Sequence, residues 1–218
     1  MTCWHVIDGP VAPHQAGDKY RLVSNLTGAN GIVFPIAGDV GEDIHLFPDN
    51  DLAIVLCKAK KDQAYIPVSY ADASVGSEIG IAGYPLPQIT LDANRNPTVT
   101  GLVYRVAKGV STAVYNTNLD SNDGHPLTNV PLVEVNFLFV PGNSGGPIFD
   151  AETGRALAYV KGFRTHKISE NAEQCQLPAA KIPQGLGNQY LSCIHAVYST
   201  GIRLEFVRTQ LEQFGVKL

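Results

Sequence analysis

Pro141-Gly142-Asn143-Ser144-Gly145-Gly146-Pro147-Ile148-Phe149-Asp150 is the stretch on which the reading of this chain turns. Apolar residues lead into it from Leu132 to Val140, and Pro147–Asp150 reads as a second short strand. A serine therefore stands between two extended segments with glycines on both sides. Glycine tolerates positive φ and lets backbone N–H groups approach a ligand closely, so such a turn can present a hydroxyl beside converging amide donors. Donors of that kind suit a developing oxyanion. Without further partners, the same residues make only a tight turn whose Gly and Asn satisfy backbone geometry.

Outward from this turn, short runs rich in Val, Ile, Leu, Tyr and Phe recur between turn residues while helical periodicity is nearly absent, the pattern of an all-β fold. The expected strands are Tyr20–Ser24, Gly31–Pro35, Leu52–Lys58, Glu78–Tyr84, Val99–Ala107, Leu132–Val140, Pro147–Asp150, Ala156–Gly162 and Leu191–Ser199. One segment differs: Leu204, Val207, Leu211 and Phe214 recur at helical spacing and Gly215 follows as a stop, which predicts a C-terminal helix with one apolar face. Small and polar residues over Ser69–Ser77 are the expected link between two halves, 1–70 and 71–218. Arg164–Gln189 shows neither period and reads as a functional surface loop or a disordered segment.

Composition excludes several classes of function. No apolar run approaches the ~18 residues of a membrane-spanning helix, so no membrane span is expected. The net charge is -4 and the largest basic cluster is Lys58, Lys60 and Lys61, which argues against a nucleic-acid partner. Cys3, Cys57, Cys175 and Cys193 form no Cys-x-x-Cys pair, so no zinc site is expected, and their three possible pairings stay open along with the redox compartment. The opening residues Met1-Thr2-Cys3-Trp4-His5 lack the basic and apolar regions of a signal peptide, and localisation stays unassigned.

A serine hydroxyl is a weak nucleophile unless a base takes its proton and a third group fixes that base, so a His and a carboxylate must accompany Ser144. His5 sits in the apolar-flanked Thr2-Cys3-Trp4-His5-Val6, and Asp51 opens the strand-like Asp51-Leu52-Ala53-Ile54-Val55-Leu56. Each alone has an ordinary structural reading, as a core histidine and as a turn residue before a strand. His14, His45, His125 and Cys57 have no partner at meaningful spacing and are given surface or core roles.

Taken together, the three segments resemble the chymotrypsin-like serine endopeptidases, in particular the bacterial branch that includes the HtrA-type proteases. The order His, Asp, Ser matches, and so do the local settings of His5, Asp51 and Ser144. Val75-Gly76-Ser77-Glu78-Ile79-Gly80-Ile81-Ala82-Gly83-Tyr84-Pro85 is similar to the family's entry into its second barrel, and Thr100-Gly101-Leu102-Val103 to the strand after it. The resemblance implies two six-stranded β-barrels with the His-Asp-Ser triad at their junction, the N-terminal barrel within 1–70 and the C-terminal barrel with its helix within 71–218. It places about two strands before the histidine, where this chain has four residues, so the first barrel is expected to be incomplete, with open edges.

The resemblance also implies hydrolysis of a peptide or protein substrate without a metal or organic cofactor, with the Gly142 and Ser144 amides as oxyanion hole. Family members that prefer Lys or Arg carry an acid six residues before the nucleophile. Leu138 stands there, so a small or apolar residue is expected before the scissile bond. The strand through Tyr159, Val160 and Lys161 is expected to line that pocket and to bind substrate backbone as an added β-strand.

Two rival readings differ in class. Gly142–Gly146 also fits a Gly-x-Ser-x-Gly nucleophile elbow with Asp150 and His166 or His195 as partners, although that elbow needs a helix directly after the serine. The other is a catalytically impaired peptide-binding or regulatory module that keeps the fold and the residues without productive geometry.

Overall fold

The computed structural model describes residues 1–8, 21–24, 32–35, 43–56, 65–84, 88–91, 97–101, 104–119, 126–140, 142–167 and 194–216. It is mostly β. A short helix α1 (Trp4–Asp8) is followed by β1 (Arg21–Ser24), β2 (Ile32–Pro35), β3 (Ile44–Phe47) and β4 (Leu52–Val55). Then come β5 (Glu78–Gly83), β6 (Gln88–Leu91), β7 (Pro97–Gly101), β8 (Arg105–Leu119), β9 (Leu127–Val135), β10 (Pro147–Asp150), β11 (Ala156–Lys167) and β12 (Ile194–Arg203). A 3-10 turn over Leu204–Val207 leads into α2 (Arg208–Gln213).

Six strands close a barrel in the order β10-β11-β12-β9-β8-β5, every neighbouring pair antiparallel, with Ile148 opposite Ile81 where β10 meets β5. The period of two along each strand gives the barrel two apolar faces. Ile79, Ile81, Val133, Val135, Ile148, Ala158 and Val160 form one buried cluster. It fills the interior, since a Cβ on Gly201 of β12 would run into Cδ1 of Ile148 from the non-adjacent β10. The alternate residues Val130, Leu132, Tyr159 and Ile202 belong to a second cluster with Cys3, Leu52 and Ile54 and with Leu204, Val207 and Leu211. The barrel wall thus packs on the segments that carry His5 and Asp51. Each fully buried aliphatic side chain here contributes about 1.5–3 kcal/mol.

Among the described residues, the amino-terminal part holds two separate antiparallel pairs, β1 with β2 and β3 with β4, rather than a closed ring. The C-terminal helix forms, with its first turn tightened to 3-10. It stops where Gly215 takes φ 75° and the amides of Gly215 and Val216 return to the Glu212 and Leu211 carbonyls, a Schellman arrangement. No described helix is long and apolar enough to cross a membrane.

Strand boundaries depart from expectation at informative places. The apolar run read as Val99–Ala107 is divided between β7, which pairs with β6, and β8, which pairs with β5. Hydrophobic period reports which face is buried, not which strand is the partner. The strand read as Leu132–Val140 starts at Leu127 and ends at Val135. Asn136 closes it, donating its amide to Val110 O and accepting the Val110 N–H on Oδ1, and the chain then leaves the barrel through Phe137–Val140. Of Arg164–Gln189, residues 164–167 extend β11, and the remainder lies outside the described residues, as do Cys57, Cys175, Cys193, His14 and His125.

Candidate active site

Thr2 pairs with the edge of β4, donating its amide to Ala53 O and accepting from Ala53 N–H at 2.9 and 2.8 Å. That bridge brings the start of the chain alongside the residue before β4, which is Asp51. The 3-10 turn Pro48–Asn50 delivers Asp51 in the left-handed region at φ 46°, a conformation Asp adopts more readily than most residues, with its amide bonded to Pro48 O. Asp51, a residue only 3 % exposed, then meets His5 through its carboxylate. His5 Nδ1 lies 2.8 Å from Oδ1 and 2.9 Å from Oδ2, and the His5 backbone N–H donates to Oδ1 at 3.1 Å.

Lys161 Nζ donates to Asp51 Oδ2 at 2.6 Å. Burial alone would push the Asp51 carboxyl up, but the hydrogen bond from His5 and the positive charge of Lys161 outweigh it, and the group is held below its ordinary value. An ionised carboxylate can only accept, so the proton of a neutral His5 ring belongs on Nδ1 and leaves Nε2 as the acceptor.

The serine turn is tied to the same neighbourhood. Asn143 N–H donates to Val140 O, Gly146 N–H to Asn143 O, Gly145 N–H to Val160 O and Val160 N–H to Gly146 O. Gly142 and Gly145 take φ 95° and 78°, which accounts for glycine at both positions. At Gly145 space also forbids a side chain, because a Cβ would come within 2.5 Å of Cys3 N and 2.7 Å of Thr2 Cα. The turn that carries Ser144 thus lies directly against the segment that carries His5. Among the described residues the Gly142 and Ser144 amides donate to no other group, and no hydrogen bond joins Ser144 to His5.

Ser144 opens onto a cavity of about 340 Å³ lined by Phe139, Val140, Val160, Lys161, Gly162 and Phe163. A second cavity of about 390 Å³, with Tyr65, Ile66, Tyr84 and Tyr104 in its wall, adjoins the other end of the turn at Gly145, Gly146 and Pro147.

Among the residues expected to bind substrate, Val160 and Lys161 line the Ser144 cavity and Leu138 and Tyr159 do not. Leu138 is 61 % exposed, whereas its neighbour Phe139 is buried with its amide fixed to Ser199 Oγ, so Phe139 makes the wall. Tyr159 points the opposite way, fully buried, and donates its hydroxyl to Asn50 O at 2.7 Å. Nor does Val160 offer a free strand edge, since its N–H is bonded to Gly146 and its carbonyl accepts from Gly145 N–H and Cys3 Sγ.

Cys3, Phe139, Val140 and Phe163 were not legible as site residues. Their side chains are ordinary apolar or small ones, and only the register of the strands brings them here. Asp150 is occupied in its own turn, accepting from Glu152 N–H and from the amide and hydroxyl of Thr153, and Ser144 is followed by β10 rather than a helix. That geometry removes the nucleophile-elbow reading.

The Cys3, His5 and Asp51 side chains lie within 4.8 Å of one another, a spacing a metal ion could use. Their chemistry fits one poorly. Burial and the Asp51 charge push the Cys3 thiol well up, so it stays protonated and donates to Val160 O, while the Lys161 ammonium already occupies Asp51.

No curated protein matches the chain. The family model of the trypsin-like peptidase domain matches residues 1–158, a span that includes His5, Asp51 and Ser144. That is well over half of the 218 residues, and the chain belongs to the trypsin-like peptidase family.

Proposed function

We propose that the chain is a serine endopeptidase in which Ser144 is the nucleophile, His5 the general base and Asp51 the group that orients the base. The observation that carries this reading is the two-oxygen contact of Asp51 with His5 Nδ1, made beside a glycine turn that opens Ser144 onto a cavity. His5 Nε2 accepts the Ser144 proton as Oγ bonds to the substrate carbonyl carbon. The Gly142 and Ser144 amides receive the resulting oxyanion, and collapse expels the amine with the proton that His5 returns. Water, deprotonated by His5, then attacks the acyl carbon and releases Ser144.

Cavities on both sides of the turn leave room for a polypeptide to continue past the scissile bond, which favours an endopeptidase. The walls of the Ser144 cavity are apolar at Phe139, Val140, Val160 and Phe163, and Lys161, the one cation among its described lining residues, is committed to Asp51, so an apolar residue is expected before the cleaved bond.

Intact-mass labelling with a fluorophosphonate tests the assignment. One adduct is expected on the parent chain and none on Ser144→Ala. An unlabelled parent, or an adduct that persists in Ser144→Ala, refutes it. Against a panel of peptides varied at the residue before the cleaved bond, Leu, Val or Phe should outrun Lys and Glu.

A further inference from the structure

Lys161 has no part in the proton relay proposed above, yet its ammonium lies 2.6 Å from Asp51 Oδ2. The strand is built to send it there. Within β11, Val160 pairs with Gly201 and Gly162 with Thr200, so Lys161 is the extra residue of a β-bulge. An inserted residue of this kind bends its strand and re-aims its own side chain. The preceding residues are anchored around the same spot, Tyr159 through its hydroxyl to Asn50 O and Val160 through Cys3 Sγ and the backbone of Gly145 and Gly146.

The chemistry of Asp51 calls for such a partner. Its side chain is 4 % exposed, and a buried charge is tolerated only when paired and hydrogen-bonded. A general base waits for its substrate in the neutral state, and neutral His5 gives Asp51 hydrogen bonds but no countercharge. Among the described residues, the titratable groups that face the carboxylate are His5, Lys161, Cys3 and Tyr159. Burial pushes the Cys3 thiol and the Tyr159 phenol up, so both stay neutral. That leaves Lys161 as the standing positive charge.

We propose that Lys161 is a positioning residue, whose ammonium compensates the buried Asp51 charge while His5 is neutral and fixes the carboxylate that orients the imidazole. Its catalytic consequence rests on the serine endopeptidase reading, but its effect on Asp51 and His5 does not. The test compares the parent chain with Lys161→Met and with the charge-keeping Lys161→Arg. The readouts are carbon-13 NMR titration of the Asp51 carboxyl, proton NMR of His5 Nδ1–H, and the rate of fluorophosphonate labelling.

In Lys161→Met the Asp51 carboxyl should titrate at higher pH than in the parent, the His5 Nδ1–H signal should be lost to exchange with water, and labelling should slow about 10–100-fold. Lys161→Arg should keep both NMR signatures. If Lys161→Met fails to fold by circular dichroism, Lys161→Gln, which keeps a donor without the charge, takes its place. An Asp51 titration unmoved by loss of the charge overturns the proposal. So does a moved titration with the His5 signal intact, because the ammonium would then compensate without positioning. If the parent is not labelled at all, the endopeptidase reading fails, while the two NMR readouts still decide the role of Lys161.

Discussion

Asp51 concentrates more consequence than any other side chain of the site, because it receives His5 twice, the His5 amide once and Lys161 once on two oxygens. Replacing one oxygen by a donor should disorder this arrangement without emptying it. Asp51→Asn is expected to lower peptide turnover about 10⁴-fold, since an amide no longer enforces the Nδ1–H form of His5. Kinetics on the apolar-residue peptides would check this, and a loss of less than tenfold would remove Asp51 from its proposed role. The same residue ties stability to pH. Its folded carboxyl lies below the ordinary value, so the stability it adds is present above the unfolded value of about 3.9 and is lost as pH falls through the lower folded value. Urea unfolding followed from about pH 5 to pH 2 should show that acid loss in the parent and a shallower one in Asp51→Asn.

The serine turn works as an element because glycine lets it lie against Thr2 and Cys3. Gly145→Ala adds a methyl group where backbone already stands and holds it at positive φ, so a loss of about 1–3 kcal/mol from overpacking should add to the conformational cost. Gly76 separates the two effects: its φ is 88° but nothing lies within 4 Å of an added Cβ. In thermal melts Gly145→Ala should fall well below Gly76→Ala, and equal losses would mean that the turn does not press on the His5 segment. This element was legible in the sequence as a turn able to present Ser144 beside amide donors, although the same residues alone also suit a plain tight turn, and His5 and Asp51 were legible as residue types awaiting a partner. Other elements were hidden for physical reasons. β8 and β9 run past the bounds expected from the sequence, to Leu119 and back from Leu127, because Asn116, Asn118 and Asn129, which bond one another across the pair, interrupt the apolar signal of the buried Leu119, Leu127 and Val130. The bulge that aims Lys161 leaves no mark on the hydrophobic period. The family resemblance pointed to Leu138, whereas the residue that lines the Ser144 cavity is its neighbour Phe139, whose amide is fixed to Ser199 Oγ.

At the scale of the whole molecule, the barrel interior and the cluster outside its wall serve different ends. The interior, with Ile79 and Ile148, holds the barrel itself, whereas the outer cluster joins Leu132, Tyr159 and Ile202 of the wall to Leu52 and Cys3 on one side and Leu204, Val207 and Leu211 on the other. The C-terminal helix also bonds the turn before Asp51 directly, through Gln210 Nε2 to Asn50 Oδ1 at 3.0 Å. A cavity in the outer cluster should therefore be felt at Asp51, and one in the interior should not. Leu211→Ala and Ile79→Ala each remove a buried aliphatic group and should each cost about 2–5 kcal/mol in urea unfolding. Well below both melting temperatures, where each variant is folded, Leu211→Ala should nevertheless slow labelling of Ser144 by about tenfold through a displaced Asp51, and Ile79→Ala should leave it near the parent rate. If the two variants label alike, the shared core supplies stability only, and the contacts of Lys161, Gly145 and Thr2 suffice to set His5 against the serine turn.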